Sequence, residues 1–314
     1  MPSPSETTAA DPELTEVADG VLAYVQPGGG WCVNNAGVLV SGEAVALIDT
    51  AATEARARRL RTHVVAAGRP APFALINTHS HGDHTFGNFV FPEATVFAHA
   101  GTRREMADVG LHLTQLWPDV VWGDIELTLP QVTYEESMTL HVGELTAELL
   151  HPGPAHSIND SVVWVPERRV LFTGDIVMSG ITPFFPLGSV AGSLRTLDRL
   201  RAFGATTVVT GHGPVCGPEV FDVTEDYLRW VQDLARQGVA AGLAPREVAR
   251  EADLGPFAEL AEPARLIPNL HRAYVEELDA ARGGEADVKA MVDRMGEIFQ
   301  EMIDYNGGPL VCHA

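Results

Sequence analysis

Residues 77–88 read NTHSHGDHTFGN and place His79, His81, Asp83 and His84 within six positions. A short apolar run, FALI (73–76), feeds directly into them. His79 and His81 alternate along an extended segment, so both rings can face one side. Gly82 permits a sharp turn. Asp83 and His84 then open a helix and face a second position. Nitrogen and oxygen donors gathered this tightly suit Zn²⁺, and to a lesser degree Fe or Mn.

Two ions need more donors, and the chain offers them further on. PGPAHS brings His156, FTGD brings Asp175 and VTGHG brings His212. Each stands where an apolar strand opens into a loop, the place where α/β folds build sites. His151 reads as an ordinary strand histidine.

These residues resemble the metallo-β-lactamase-fold hydrolases, over about residues 18–218. The HxHxDH signature is matched by His79, His81, Asp83 and His84. The later histidine, strand-end aspartate and last histidine are matched by His156, Asp175 and His212. The resemblance implies an αββα sandwich with the metals at one edge. It implies two Zn²⁺, one held by His79, His81, His156 and Asp175. The other would be held by Asp83, His84, His212 and the same Asp175. Asp49, in ALIDT, would orient a liganding histidine, and Asp83 would orient a metal-bound hydroxide as it attacks a carbonyl. Members that are true β-lactamases lack an aspartate like Asp175. Thioesterases of the glyoxalase II kind and lactonases keep the full set.

Composition bounds the rest. With 314 residues, the chain is long enough for a large core plus an appended piece. A net charge of −21 leaves no basic footprint for nucleic acid and would be repelled by an anionic membrane surface. The only lysine is Lys289, against twenty arginines. Cys32, Cys216 and Cys312 show no close pairing and read as free thiols. Neither a signal-peptide pattern nor an 18-residue apolar run occurs, so a cytoplasmic location is expected.

Strand and helix patterns alternate in two passes from Val21 to His212. Pro118 argues against one continuous helix over 111–134. From about Glu219 every segment has helical periodicity. The expected organisation is a flexible tail over 1–17, a catalytic domain over 18–218 and a helical region over 219–314. Apolar stripes such as Leu228, Val231, Leu234 and Leu266, Leu270, Tyr274 suggest a subunit interface, and a homodimer is expected. The closing segment GGPLVCHA is too apolar to dangle in water, and is expected to dock on the partner subunit or beside the metals.

The expected substrate is small and hydrophobic or aromatic: an ester, thioester or lactone. Trp31, Phe86, Trp117, Trp122, Met178, Phe184 and Phe185 follow or flank the ligand strands and would wall its pocket. The helical region also resembles that of a bacterial group containing aromatic-polyketide thioesterases and cyclases. Two further alternatives are a mononuclear iron oxygenase of the same fold and a non-enzymatic metal-binding assembly protein.

Overall fold

The computed structural model describes residues 11–66, 69–282 and 288–314. Seven strands form the first sheet: β1 (Glu13–Ala18), β2 (Val21–Val25), β3 (Ala36–Ser41), β4 (Ala44–Ile48), β5 (Ala74–Ile76), β6 (Thr95–His99) and β7 (Val132–Tyr134). They lie in chain order. The pairs from β1 to β4 are antiparallel, and those from β4 to β7 parallel. The parallel steps need crossovers, which α1 (Glu54–Val65), α2 (Gly82–Thr85), α3 (Ala100–Val109) and α4 (Leu113–Leu116) accompany. α4 stops just before Pro118, and the chain then stays irregular as far as β7.

The second sheet contains β8 (Ser137–Val142), β9 (Leu145–Leu150), β10 (Val162–Val165), β11 (Val170–Gly174) and β12 (Thr207–Thr210). Here α5 (Val190–Ala202) crosses from β11 to its parallel neighbour β12. After it come α6 (Val220–Ala241), α7 (Pro245–Glu251), α8 (Leu266–Arg282) and α9 (Val288–Asn306).

Period-two patterning makes the layers. Ala46, Ile48, Ala74 and Ile76 pack inward against Leu149, Val163, Val170 and Phe172 of the second sheet. Their alternates Val45, Leu47 and Leu75 turn outward onto Ala57, Leu60 and Val64 of α1. Val162, Leu171 and Val208 face outward onto Leu197 and Leu200 of α5 and the later helices. The order is helix, sheet, sheet, helix, with a helical C-terminal extension packed on the outer layer.

Two expectations change. The tail drawn over 1–17 is too long, because Glu13–Ala18 pairs with β2 as an edge strand; residues 1–10 lie outside the described residues. The stripes assigned to a subunit interface face the protein's own core: Leu228, Val231, Leu266, Leu270 and Tyr274 are buried in the cluster that α5, α6, α8 and α9 share. Glu276 of α8 fixes that packing by accepting from the backbone N–H groups of Val190 and Ala191, both at 2.9 Å. Those amides open α5 and have no partner within the helix, so a carboxylate there suits both bonding and the helix dipole.

Candidate metal centre

The ends of β4, β5, β11 and β12 converge on one edge of the sandwich. β5 delivers the HxHxDH turn, and Gly82–Thr85 forms the single helical turn that carries Asp83 and His84 into a second donor set, with the His84 ring 4.2 Å from that of His79. β11 delivers Asp175 and β12 delivers His212. Two sets of donor atoms result. In one, His79, His81, His156 and Asp175 each bring a ligand atom within 4.8 Å of the others; in the second, Asp83, His84 and His212 do the same.

Asp175 reaches both. Its Oδ1 lies 3.1 Å from His84 Nε2, and its Oδ2 lies 3.3 Å from His212 Nε2 and 3.6 Å from His156 Nε2. The carboxylate therefore sits between the sets. Asp83 Oδ2 lies 3.3 Å from His212 Nε2.

The far side of four of the five rings is held by the protein, His81 instead meeting His156 Nε2 through its Nδ1 at 2.9 Å. His84 Nδ1 meets Asp49 Oδ2 at 2.9 Å, His79 Nδ1 meets the Thr78 hydroxyl at 3.0 Å, and His156 Nδ1 meets the Phe184 carbonyl. His212 Nδ1 lies 3.0 Å from the carbonyls of both Gly29 and Val33. These bonds fix which nitrogen turns inward, as metal-ligating histidines require. Asp49 is itself anchored, accepting from the Thr78 amide at 2.8 Å and hydroxyl at 2.7 Å. It stands at φ +59°, a conformation few side chains other than Asp and Asn tolerate.

The donor set fits a pair of divalent cations. His79 Nε2, His84 Nε2 and Asp175 Oδ1 are buried without a hydrogen-bond partner, although 3.1 Å separates the last two. Orphaned buried donors and acceptors are costly unless something binds them.

Charge within the cluster is divided. Burial holds His156 down at about 3, leaving a neutral ring. Burial also opposes ionisation of Asp83, but His84 and His212 outweigh it and hold that carboxyl at about 2. Burial disfavours a charged His212, yet Asp175 and Asp83 lift it to about 9, and acidic neighbours raise His84 likewise. Ligation needs neutral imidazole, so a binding cation must displace those protons. Metal affinity is accordingly expected to fall as pH drops below about 9. Calorimetry in buffers of different ionisation enthalpy reads the release; a heat independent of buffer would refute it.

The expected wall residues separate into groups. Trp31 packs on Phe184 at 5.1 Å between ring centres and on Trp117 at 5.7 Å, while Phe184 lies 6.1 Å from the ring of His156. Phe86 pairs with Trp122 at 6.2 Å and sits against Gly82 of the metal turn. Phe185 turns away from this row towards Tyr227 of α6, at 6.4 Å. Met178 joins Trp31 and Phe184 around a residue the sequence did not advertise, Arg265.

The C-terminal segment docks beside this wall. Trp117 Nε1 donates to the Leu310 carbonyl at 2.8 Å, His313 N donates to the Trp31 carbonyl at 3.1 Å, and Arg56 donates to the His313 carbonyl at 2.5 Å. Since these contacts lie within one chain, ending the protein at Tyr305 is expected to lower activity and thermal stability without changing its mass by light scattering. Full activity, or a halved mass, would show that the segment acts otherwise. His151 stacks on His99 at 4.4 Å and belongs to neither donor set.

Comparison with known proteins agrees with this geometry. The metallo-beta-lactamase superfamily model matches residues 29–212. A type 2 metallo-beta-lactamase of Bacteroides fragilis is 23% identical over 236 residues, covering 72% of this chain and 88% of that protein. A hydroxyacylglutathione hydrolase of Methylococcus capsulatus is 26% identical, over 58% of this chain and 67% of its own. In structure, a metallo-beta-lactamase from Pontibacter korlensis superposes with a TM-score of 0.59 at 20% identity, covering 70% of this chain and 99% of that one. A linear primary-alkylsulfatase of Pseudomonas matches over only 26% of its own length. With more than half of its length matched by the family model and both donor sets in place, the chain belongs to the metallo-beta-lactamase superfamily.

Proposed function

We propose that the protein is a dinuclear zinc hydrolase that opens a hydrophobic or aromatic ester, thioester or lactone. The observation that carries this reading is the position of Asp175. One carboxylate, buried and in reach of His84, His212 and His156, ties the two donor sets into a single centre. His79, His81, His156 and Asp175 would hold one ion, and Asp83, His84, His212 and Asp175 the other.

Bound there, the ions would supply Lewis acidity and lower the pKa of a water to near neutrality. The chain's own groups do the rest. Asp83, held ionised, offers an acceptor that can orient the attacking water. Asp49 keeps His84 in one tautomer. The Trp31–Phe184–Trp117 row supplies an apolar wall that can seat the acyl or leaving group and exclude bulk water. Likeness to a hydroxyacylglutathione hydrolase supports hydrolysis as the reaction class.

Elemental analysis together with a screen of aryl esters, thioesters and lactones tests the proposal. About two equivalents of zinc per chain and turnover of at least one of these classes are expected. One tightly held iron, with oxygen consumed in the presence of a thiol, would overturn it in favour of an oxygenase.

A further inference from the structure

Arg265 closes the 3-10 turn Pro263–Arg265 that leads into α8, and its side chain is among the largest fully buried ones in the protein. Its guanidinium stacks on Trp31, with the central carbon 4.3 Å from the ring centre, and lies 5.7 Å from the centre of Phe184. Nη1 donates to Met178 Sδ at 3.0 Å and to the Thr182 carbonyl at 3.2 Å. Nε has no acceptor. Among the described residues no carboxylate comes within ion-pairing distance of 4.0 Å. The contrast with Arg272, also buried, is direct: it pairs with Glu276 at 3.1 Å.

A buried guanidinium without a bonded carboxylate is costly, since arginine does not shed its proton, and Glu262, Asp175 and Asp83 act on this one only from beyond bonding distance. Replacing it by an apolar side chain of similar volume would ordinarily be neutral or stabilising. A second orphan lies in contact with it. The indole N–H of Trp31 is likewise buried without an acceptor. Two stacked side chains thus carry unmet donors and one positive charge, one aromatic ring away from His156. Trp31 is itself only partly buried, on the Gly28–Gly30 loop whose Gly29 carbonyl meets His212 Nδ1, so it borders the metal centre and solvent together.

We propose that Arg265 and the Trp31 N–H recognise a carboxylate on the substrate, at a point removed from the bond that is cleaved. A carboxylate is planar, accepts only, and carries one charge, which matches a single guanidinium fork. A phosphate dianion would want a second cation, and the only lysine, Lys289, stands on α9 and pairs with Asp293. This narrows the substrate to an acyl compound with an apolar body and an anionic end. The kinetic arm rests on the hydrolase reading, whereas the binding arm does not.

The test uses the zinc-loaded protein and two matched probe pairs. Tryptophan fluorescence reads binding of 4-phenylbutyrate against 4-phenylbutyramide. Hydrolysis compares the phenyl monoester of glutarate with its neutral methyl ester. Wild type is expected to favour the charged member of each pair by about 10-fold or more. In Arg265→Met that preference should collapse by roughly 10–100-fold, the range for truncating a buried charged hydrogen bond. Arg265→Lys should keep part of it. Trp31→Phe should lose less, and zinc content should hold in all three. No preference in wild type, or equal losses on charged and neutral probes, would overturn the proposal. If Arg265→Met does not fold, the Arg265→Lys and Trp31→Phe ratios decide in the same way. Preferential carboxylate binding without ester turnover would sink the hydrolase reading alone; turnover indifferent to the charge would sink this one alone.

Discussion

His81→Ala is expected to lower turnover by about 10³-fold or more, while Asp49→Ala leaves a measurable enzyme. His81 supplies one of the four donors of its set, and its Nδ1 lies 2.9 Å from His156 Nε2. Removing it opens that set outright. Lewis-acid stabilisation by an ion is worth several kcal/mol, and about 4 kcal/mol corresponds to 10³-fold in rate. Asp49 belongs to neither donor set. Its loss strips the acceptor from His84 Nδ1 and from the Thr78 amide, and typically costs about 10–100-fold in metal affinity or activity. Alanine also suits φ +59° poorly, so Asp49→Asn, which tolerates that conformation, separates strain from lost charge. Zinc titration of all three variants, with kcat at saturation, gives the order. Equal defects in His81→Ala and Asp49→Ala would remove the distinction.

Gly211→Ala, a change of one methyl group, is expected to damage the centre nearly as much. A Cβ there would stand 1.9 Å from Asp175 Oδ1, 2.8 Å from the Gly174 carbonyl carbon and 3.0 Å from the Asp175 amide. Two of those atoms are backbone and cannot rotate away. Gly211 is also held from both sides, donating to the Gly174 carbonyl at 2.7 Å and accepting from the Asn35 amide at 2.6 Å. Overpacking of this kind costs about 1–3 kcal/mol in stability, and here it also displaces the carboxylate that joins the two donor sets. A drop of several degrees in melting temperature and loss of about half the bound zinc or more are expected. Gly296→Ala is the control: it lies in α9 with nothing within 4 Å, where alanine favours a helix by up to about 1 kcal/mol. A Gly211→Ala protein with full zinc and unchanged melting would contradict the steric account.

Legibility in the sequence followed range. His79, His81, Asp83 and His84 are readable because their chemistry and their geometry both sit in six residues of chain. Asp175 and His212 are readable because apolar strands end at them. β1 and β8 are less so. ELTEVA lies at a sheet edge with no side chain fully buried, so main-chain pairing rather than an apolar run defines it, whereas SMTLHV carries its strand signal only in the alternation of Met138, Leu140 and Val142 with polar residues. The apolar stripes of α6 and α8 were plain, but a stripe does not say which surface covers it. Arg265 gives no local sign at all. It is one arginine of twenty, and its meaning comes only from Trp31, Met178 and Phe184, which other loops bring to it.

The docking of residues 310–313 on Trp31 and Trp117 has a bearing on how the protein is made. The last residue of the two donor sets, His212, is synthesised about a hundred residues before His313. At roughly 5–20 residues per second, that interval is on the order of 5–20 s. The nascent chain thus owns a complete donor set while the strand of chain that braces its aromatic wall is still on the ribosome. Metal capture and wall closure become separate events in time, and the later one joins Trp31 and His313, about 280 residues apart, the kind of distant contact that slows folding.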